Sequence, residues 1–384
     1  MWNLAEQTIT AAELQSLADW LVAAPRLTQG EKVLQFEAAW SDWLGAAHSV
    51  MMSSGSTANF ALVVAAASRV SRERPRIGVS AVTWPTNVTP SMLLGHEVVV
   101  FDVDRHTLGI DSHAACDAME RQDLDILFIT HLLGLNALDE TLIETAERNN
   151  VILLEDCCEA HGARMGGRRV GTCGLASTFS FYYGHHMSTI EGGMVSTDDP
   201  ELADQLRLIR SHGLARESRR FEDHVARHSD IDPQFLFIEP GLNFRSTELN
   251  AVLGLSQLPA LEDRIEHRNR NMRQFLDDAP DWLWTEYRTE GLSSFALPLI
   301  SEDQEGAHRA RRAVDDLGIE RRPVVAGNLL KQPFFRHSEA RVAHGGTPVA
   351  DHVHSFGMYL GNGPHVSPEM VEQLTERLVQ ERAE

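Results

Sequence analysis

The sequence predicts an α/β protein: a large domain on a mixed, mostly parallel sheet, followed by a smaller C-terminal α+β domain. Two observations carry the large domain. The apolar runs Ile77 to Val82, Val98 to Val103, Ile126 to Thr130 and Val151 to Leu154 are strand-length, and helix-like stretches separate them. Alternation of that kind places helices on both faces of a parallel sheet. The smaller domain follows from the region beyond Glu262, where long polar helices alternate with short strands at Phe295 to Ile300 and Pro323 to Val325. The boundary is set at residue 240, giving domains 1–240 and 241–384.

Composition narrows the function. With 384 residues and 43% hydrophobic content the chain can bury a large core. A formal charge of −21 argues against nucleic acid as a partner, because phosphate-backbone binders concentrate Lys and Arg on one face. The longest apolar runs, such as Phe60 to Ala67, fall far short of the roughly 20 residues that cross a bilayer. Met1 to Glu6 lacks the pattern of a signal peptide. A soluble, cytoplasmic protein with no membrane partner is expected. Cys116, Cys157, Cys158 and Cys173 contain no CxxC unit and fit no zinc or iron–sulfur spacing, so reduced thiols, no metal and no iron–sulfur cluster are expected. Lys32 and Lys331 are the only lysines. Chemistry that needs a side-chain primary amine must use one of them.

Taken in order, Thr10 is a candidate N-cap for a helix reaching Ala24, with Leu14, Leu17, Ala18 and Leu21 at helical spacing. A second helix carries Leu34, Phe36, Trp40, Trp43 and Leu44 and stops at Gly45. Ser49 to Asn59 then reads as a strand running into a Ser/Gly/Thr turn, with a helix from Phe60 to Ser68. Such a turn gathers backbone N–H groups at a helix N-terminus and forms an anion site, although Ser and Thr also cap helices with no ligand. Trp84, His131 and Asp156 follow successive strands, where ligands of such sheets bind. Asp156 ends a buried strand and needs a cation or hydrogen-bond donors, or else serves as a helix N-cap.

The densest signal is Thr178 to Asp199. The run Phe179-Ser180-Phe181-Tyr182-Tyr183 suits a half-buried strand, His185-His186 lies on a turn, and Gly192-Gly193 leads into a second strand, Met194 to Thr197. Strand, polar turn, Gly-Gly and strand can present side chains to a small ligand; two loop histidines can equally be solvated and idle. A helix is expected from Pro200 to Ile209, an irregular surface segment over Arg216 to Asp232, and a helix over Thr247 to Leu258.

Six motifs in one order resemble the DegT/DnrJ/EryC1/StrS aminotransferases, the sugar-modifying branch of the pyridoxal-phosphate (PLP) enzymes of fold type I. They are Ser54-Gly55-Ser56-Thr57, Trp84, Glu155-Asp156 with His161-Gly162, Phe179-Ser180-Phe181, Gly241-x-Asn243-x-Arg245, and Gly327-Asn328 with Lys331. The likeness runs from about Leu27 to His365. It implies an aspartate aminotransferase-like fold whose large domain binds the cofactor. Gly55, Ser56, Thr57 and Ser180 are then expected at the cofactor phosphate, Trp84 on the ring face, Asp156 at the pyridinium nitrogen and Glu159 beside the cofactor. By the same resemblance Asn243 reaches a neighbouring subunit's cofactor, implying a homodimer with shared active sites. His186, Arg245, Asn328 and Lys331 are expected at the substrate.

One position departs from the family. Where most members carry the Schiff-base lysine after the F-S-F segment, this chain has His185, and imidazole has no primary amine. Histidine there marks the family's 3-dehydratases, and the cysteine pattern resembles the branch without an iron–sulfur cluster. The expected activity is removal of the C3 hydroxyl from a nucleotide-linked 4-keto-6-deoxy sugar. Pyridoxamine phosphate (PMP) or PLP would be held non-covalently, His185 would be the base, and glutamate would supply the amine. An imidazole pKa of about 6.5 suits that role. The rival readings are an aminotransferase that uses free PMP and a non-catalytic cofactor- or sugar-binding homologue.

Overall fold

The computed structural model describes residues 2–381, apart from the side chains of Arg336 and His337. The large sheet takes seven strands from the first half of the chain: β1 (His48–Met52), β2 (Arg76–Ser80), β3 (Glu97–Phe101), β4 (Ile126–Thr130), β5 (Ile152–Asp156), β6 (Ala176–Ser180) and β7 (Gly193–Thr197). A smaller sheet contains β8 (Ala296–Ile300) and β9 (Arg321–Pro323); β10 (Arg341–Val342) and β11 (Gly357–Gly361) follow. The large sheet runs β1-β7-β6-β5-β4-β2-β3-β10, and the small one β8-β11-β9. Only β7 runs antiparallel to its neighbours in the large sheet, so the expected mixed, mostly parallel sheet is present. Its central strands are buried on both faces, as their unbroken Val/Ile/Leu/Phe runs require.

Helices α1 (Ala11–Val22), α2 (Glu31–Leu44) and α3 (Gly55–Ala67) open the chain; α4 (Pro200–Arg210), α5 (Glu248–Gln257) and α6 (Leu261–Asp278) lie farther on. Thr10 caps α1 through the Glu13 N–H, as its type and spacing predict. Helix α2 has glycine at its N-cap and no side-chain cap of its own. The buried Glu248 carboxylate of α5 fills that place, accepting from the N–H groups of Gly30, Lys32 and Val33 at 2.8–2.9 Å. Phe36 fills the space opposite Gly254, where an added Cβ would come within 2.6 Å of its ring. Trp40 then packs edge-on to Phe179 and Phe181, so the alternating aromatics near the second glycine pair are core residues.

Three expectations change. Helix α3 starts at Gly55 rather than Phe60, because Ser54 and Thr57 close a reciprocal cap. Strand β6 ends at Ser180, which leaves Tyr182 and Tyr183 exposed beyond it. The irregular segment over 216–232 contains a short helix, Phe221–Arg227.

We propose a division of the chain between residues 240 and 241, whose outer ends at Met1 and 382–384 lie outside the described residues. All three strands of the small sheet follow it. Contacts cross it at several places, among them α5 packing on α2, β10 extending the large sheet beside β3, and Trp2 pairing with Ile319. Among the described residues no helix is long and apolar enough to cross a membrane.

Candidate active site

A cavity of about 550 Å³ opens at the carboxyl ends of β4, β5 and β6. The N-terminus of α3, the segment after β2 and the small sheet complete its wall. Gly55 and Ser56, Trp84, Asp156, Glu159, Ser180 and His185 all line it. Residues drawn from five separate stretches of chain therefore converge on one space.

Glycine makes the convergence sterically possible. A Cβ on Gly55 would sit 2.7 Å from the Ser180 Cβ, and one on Gly193 would sit 2.2 Å from the Ser54 carbonyl oxygen. Strand β7 thus supports the turn at the start of α3 through a contact no other residue fits. Gly193→Ala is expected to cost about 1–3 kcal/mol and to weaken binding of a phosphate-bearing ligand at the turn. Urea denaturation and calorimetry read the two effects; wild-type values in both would contradict this account.

Asp156 is 3% exposed. Its Oδ2 accepts from Asn59 Nδ2 at 3.1 Å and Asn87 Nδ2 at 2.8 Å, while Oδ1 accepts from the Cys158 N–H at 2.9 Å. Neutral donors satisfy the carboxylate without cancelling its charge, so it can face a bound cation. Its neighbour Glu155 has a different task. Burial works to raise the Glu155 pKa, but His131 and the Gly171 and Gly174 N–H groups hold it below the usual carboxylate value. Glu155 pins the 171–174 loop and does not line the cavity.

Glu159 accepts from the Leu133 N–H at 2.9 Å. Burial pushes its carboxyl up to about 7, with Asp156 adding to the rise and the Leu133 donor opposing it. His185 moves the other way. Burial and the nearby Arg268 guanidinium lower it to about 3, which corrects the expectation of an ordinary imidazole. Its backbone N–H donates to the Tyr182 carbonyl at 3.0 Å, its ring lies against Phe295, and Nδ1 is buried without a hydrogen-bond partner. Two titratable groups with opposed shifts thus line one cavity, the pattern of an acid and a base kept apart.

Six expected site residues do not line this cavity. Thr57 spends its hydroxyl on the α3 cap. His186 is fully buried, with Nε2 3.2 Å from the Ser293 carbonyl, because the turn that exposes His185 sends the next side chain inward. Asn328 bonds Thr347 and Asp351 at 3.0 and 2.8 Å, and Lys331 pairs with the same Asp351 at 3.0 Å, so both fasten a loop to the helix Pro348–Phe356. Asn243 is exposed and Arg245 half-buried, away from the cavity of their own chain. Conversely, Asn59, Asn87, Tyr359 and Arg322 carry weight that sequence reasoning missed. For Asn59 a signal existed: a lone amide one turn into an otherwise apolar helix.

A parallel α/β sheet with this cavity at its strand ends defines a class of protein, and comparison identifies it. The chain belongs to the DegT/DnrJ/EryC1/StrS aminotransferase family, whose model matches residues 7–379, and the fold is type I of the PLP enzymes. Among curated proteins it is 34% identical over 386 residues to GDP-4-keto-6-deoxy-D-mannose 3-dehydratase of Yersinia pseudotuberculosis, covering 97% of this chain and 96% of that one. The Escherichia coli GDP-4-keto-6-deoxy-D-mannose-3-dehydratase with bound hydrated PLP superposes with a TM-score of 0.90 at 30% identity, covering 98% and 99% of the two chains. A GDP-4-keto-6-deoxymannose-3-dehydratase structure with a trapped PLP-glutamate geminal diamine gives a TM-score of 0.90 at 30% identity, covering 98% and 100%.

Proposed function

We propose that this protein is a PLP/PMP-dependent 3-dehydratase of a GDP-linked 4-keto-6-deoxy sugar, with His185 as its base. One observation carries the reading: an imidazole, and no lysine, lines the cavity among the described residues. Lys331 is held by Asp351, and the Lys32 ammonium donates to Gln35. The relatives' names supply the sugar and the nucleotide.

The residues fit the cofactor. The buried Asp156 carboxylate, uncancelled by any positive charge within bonding distance, suits a protonated pyridine nitrogen. The Gly55-Ser56 turn and Ser180 offer donors for its phosphate, and Trp84 a face for its ring. When bound, the cofactor supplies an amine for the sugar ketone and a ring that accepts electrons. His185 would take a proton and return it to the departing C3 hydroxyl, which leaves as water; its lowered pKa keeps the imidazole unprotonated at pH 7. Glu159, its pKa raised to about 7 by burial, would in its protonated form offer a donor to the same space. Glutamate serves as amine donor and is oxidised to its 2-oxo acid, which matches the two-electron reduction of the sugar; the oxygen lost by the sugar equals the one gained by the 2-oxo acid, and the nitrogen leaves as ammonia. The trapped glutamate adduct of the similar structure supports that choice.

A homodimer completes the proposal. Phe235, Phe237 and Leu242 are more than half exposed in the stretch leading to Asn243, a surface that a second copy would cover. Mass spectrometry after incubation with PMP, glutamate and a GDP-4-keto-6-deoxy sugar is expected to show a product one oxygen lighter, with ammonia released. A product that keeps the oxygen and gains nitrogen would make the enzyme an aminotransferase.

A further inference from the structure

The charges on the cavity wall are unequal. Asp156, Glu159, Glu191 and Glu320 line it, and among the described residues Arg322 is the single Lys or Arg side chain there. Both proposed reactants are anions, a nucleotide diphosphate sugar and a dicarboxylic amino acid. In a chain of net charge −21, an anion entering a space walled by four acids needs a fixed cation.

Arg322 is placed for that task. It lies on β9, half exposed, with Nη2 2.7 Å from Glu320 Oε1. The guanidinium is a planar fork of five N–H donors, so one carboxylate and the Arg321 carbonyl do not exhaust it. Its cross-strand partner is Tyr359 on β11, which also lines the cavity. Burial holds the Tyr359 hydroxyl well above its ordinary pKa, so it remains a neutral donor. Glu320 is shared: its other oxygen, Oε2, accepts the Leu4 N–H at 3.0 Å, and Leu4 and Ala5 form part of the same wall.

We propose that Arg322, with the Tyr359 hydroxyl beside it, is the anion-binding subsite of the cavity, taking a carboxylate or phosphate of an incoming reactant. Glu320 pairs with the guanidinium and competes with the incoming anion for it. The identity of the anion rests on the dehydratase reading; the existence of the subsite does not, since binding is measured without turnover.

The test is calorimetric titration of the cofactor-loaded protein with two unreactive probes, glutarate for a dicarboxylate and GDP for a diphosphate. Arg322→Ala is expected to weaken at least one probe about tenfold or more, and Arg322→Lys to recover part of the loss. A loss confined to glutarate assigns the subsite to the amine donor, and one confined to GDP assigns it to the nucleotide. Glu320→Gln is expected to leave binding unchanged or tighter, because it frees the guanidinium. The proposal is overturned if wild-type protein binds neither probe, if Arg322→Ala binds both within twofold of wild type, or if Glu320→Gln weakens binding as much as Arg322→Ala. A dehydratase that passes the product test while failing this one would place the anion site elsewhere.

Discussion

His185→Asn is expected to lower dehydration by roughly 10²–10⁴-fold, the usual worth of a positioned proton-transfer group, while the protein still binds its cofactor. Asparagine fits the same turn. Two backbone contacts hold position 185, its N–H to Tyr182 and its carbonyl to Arg268, and both survive the substitution, while the ring contact with Phe295 is lost. Gly55, Ser56, Trp84, Asp156 and Ser180 are untouched, so cofactor affinity measured by calorimetry stays near wild type. What is lost is a ring nitrogen with a lone pair that can accept a proton, since an amide nitrogen has none to offer. Rate loss without affinity loss separates a base from a binding group. A variant within tenfold of wild-type turnover would show that another group moves the proton, and a variant that no longer holds cofactor would show that His185 is an anchor.

Acid is expected to unfold this protein earlier than its acidic composition suggests. His161, His185 and His186 are grouped, their ring centroids separated by 6.3 Å and 5.2 Å from His161, beside the buried Arg268. Burial first, and then the positive or polar neighbours, lower all three pKa values. In the unfolded chain each imidazole takes a proton near pH 6.5; folded His185 holds out to about 3. Between those values the unfolded state binds more protons, so stability is fully present above about 6.5 and drains as pH falls. From pH 7.5 to 5 the loss for His185 alone is on the order of 2 kcal/mol. Glu159 acts in the opposite sense: its raised pKa means the folded state binds more protons between about 4.5 and 7, which offsets roughly as much as His185 loses, so the net fall is carried by His161 and His186. The urea midpoint at pH 5 should therefore lie well below that at pH 7.5. Equal midpoints would mean that the histidines are charged in the native state.

How much of this was legible in the sequence depends on what fixes each residue. Asp156 and Ser180 end buried strands, and Gly55 opens a helix after one. Their place at the carboxyl edge follows from order along the chain, which a sequence displays. His185 stood out because a family pattern has an amine there and the lysine count left no substitute. His186 was misplaced because a one-residue step along a turn reverses the direction of a side chain, which spacing does not report, and Thr57 because its hydroxyl is spent on the α3 cap. Asn328 and Lys331 carry a recognisable motif but spend their donors on Thr347 and Asp351, which only the folded loop brings near. Arg322 was invisible because the small sheet must dock before β9 faces the cavity.

The clasp near the start of the chain sets an order in time. Trp2 is 3% exposed, and its indole N–H donates to the Gly361 carbonyl across 359 positions, while Leu4 waits for Glu320. During synthesis those early residues are finished long before their partners exist. The large sheet from β1 to β7 can form meanwhile, because its ladders link segments of the first half of the chain. The cavity wall at Leu4 and Ala5 cannot, since loop closure over such a separation comes late. The reaction chamber is thus completed only after the large sheet, and a partly made chain carries the base without the enclosure that would let it work.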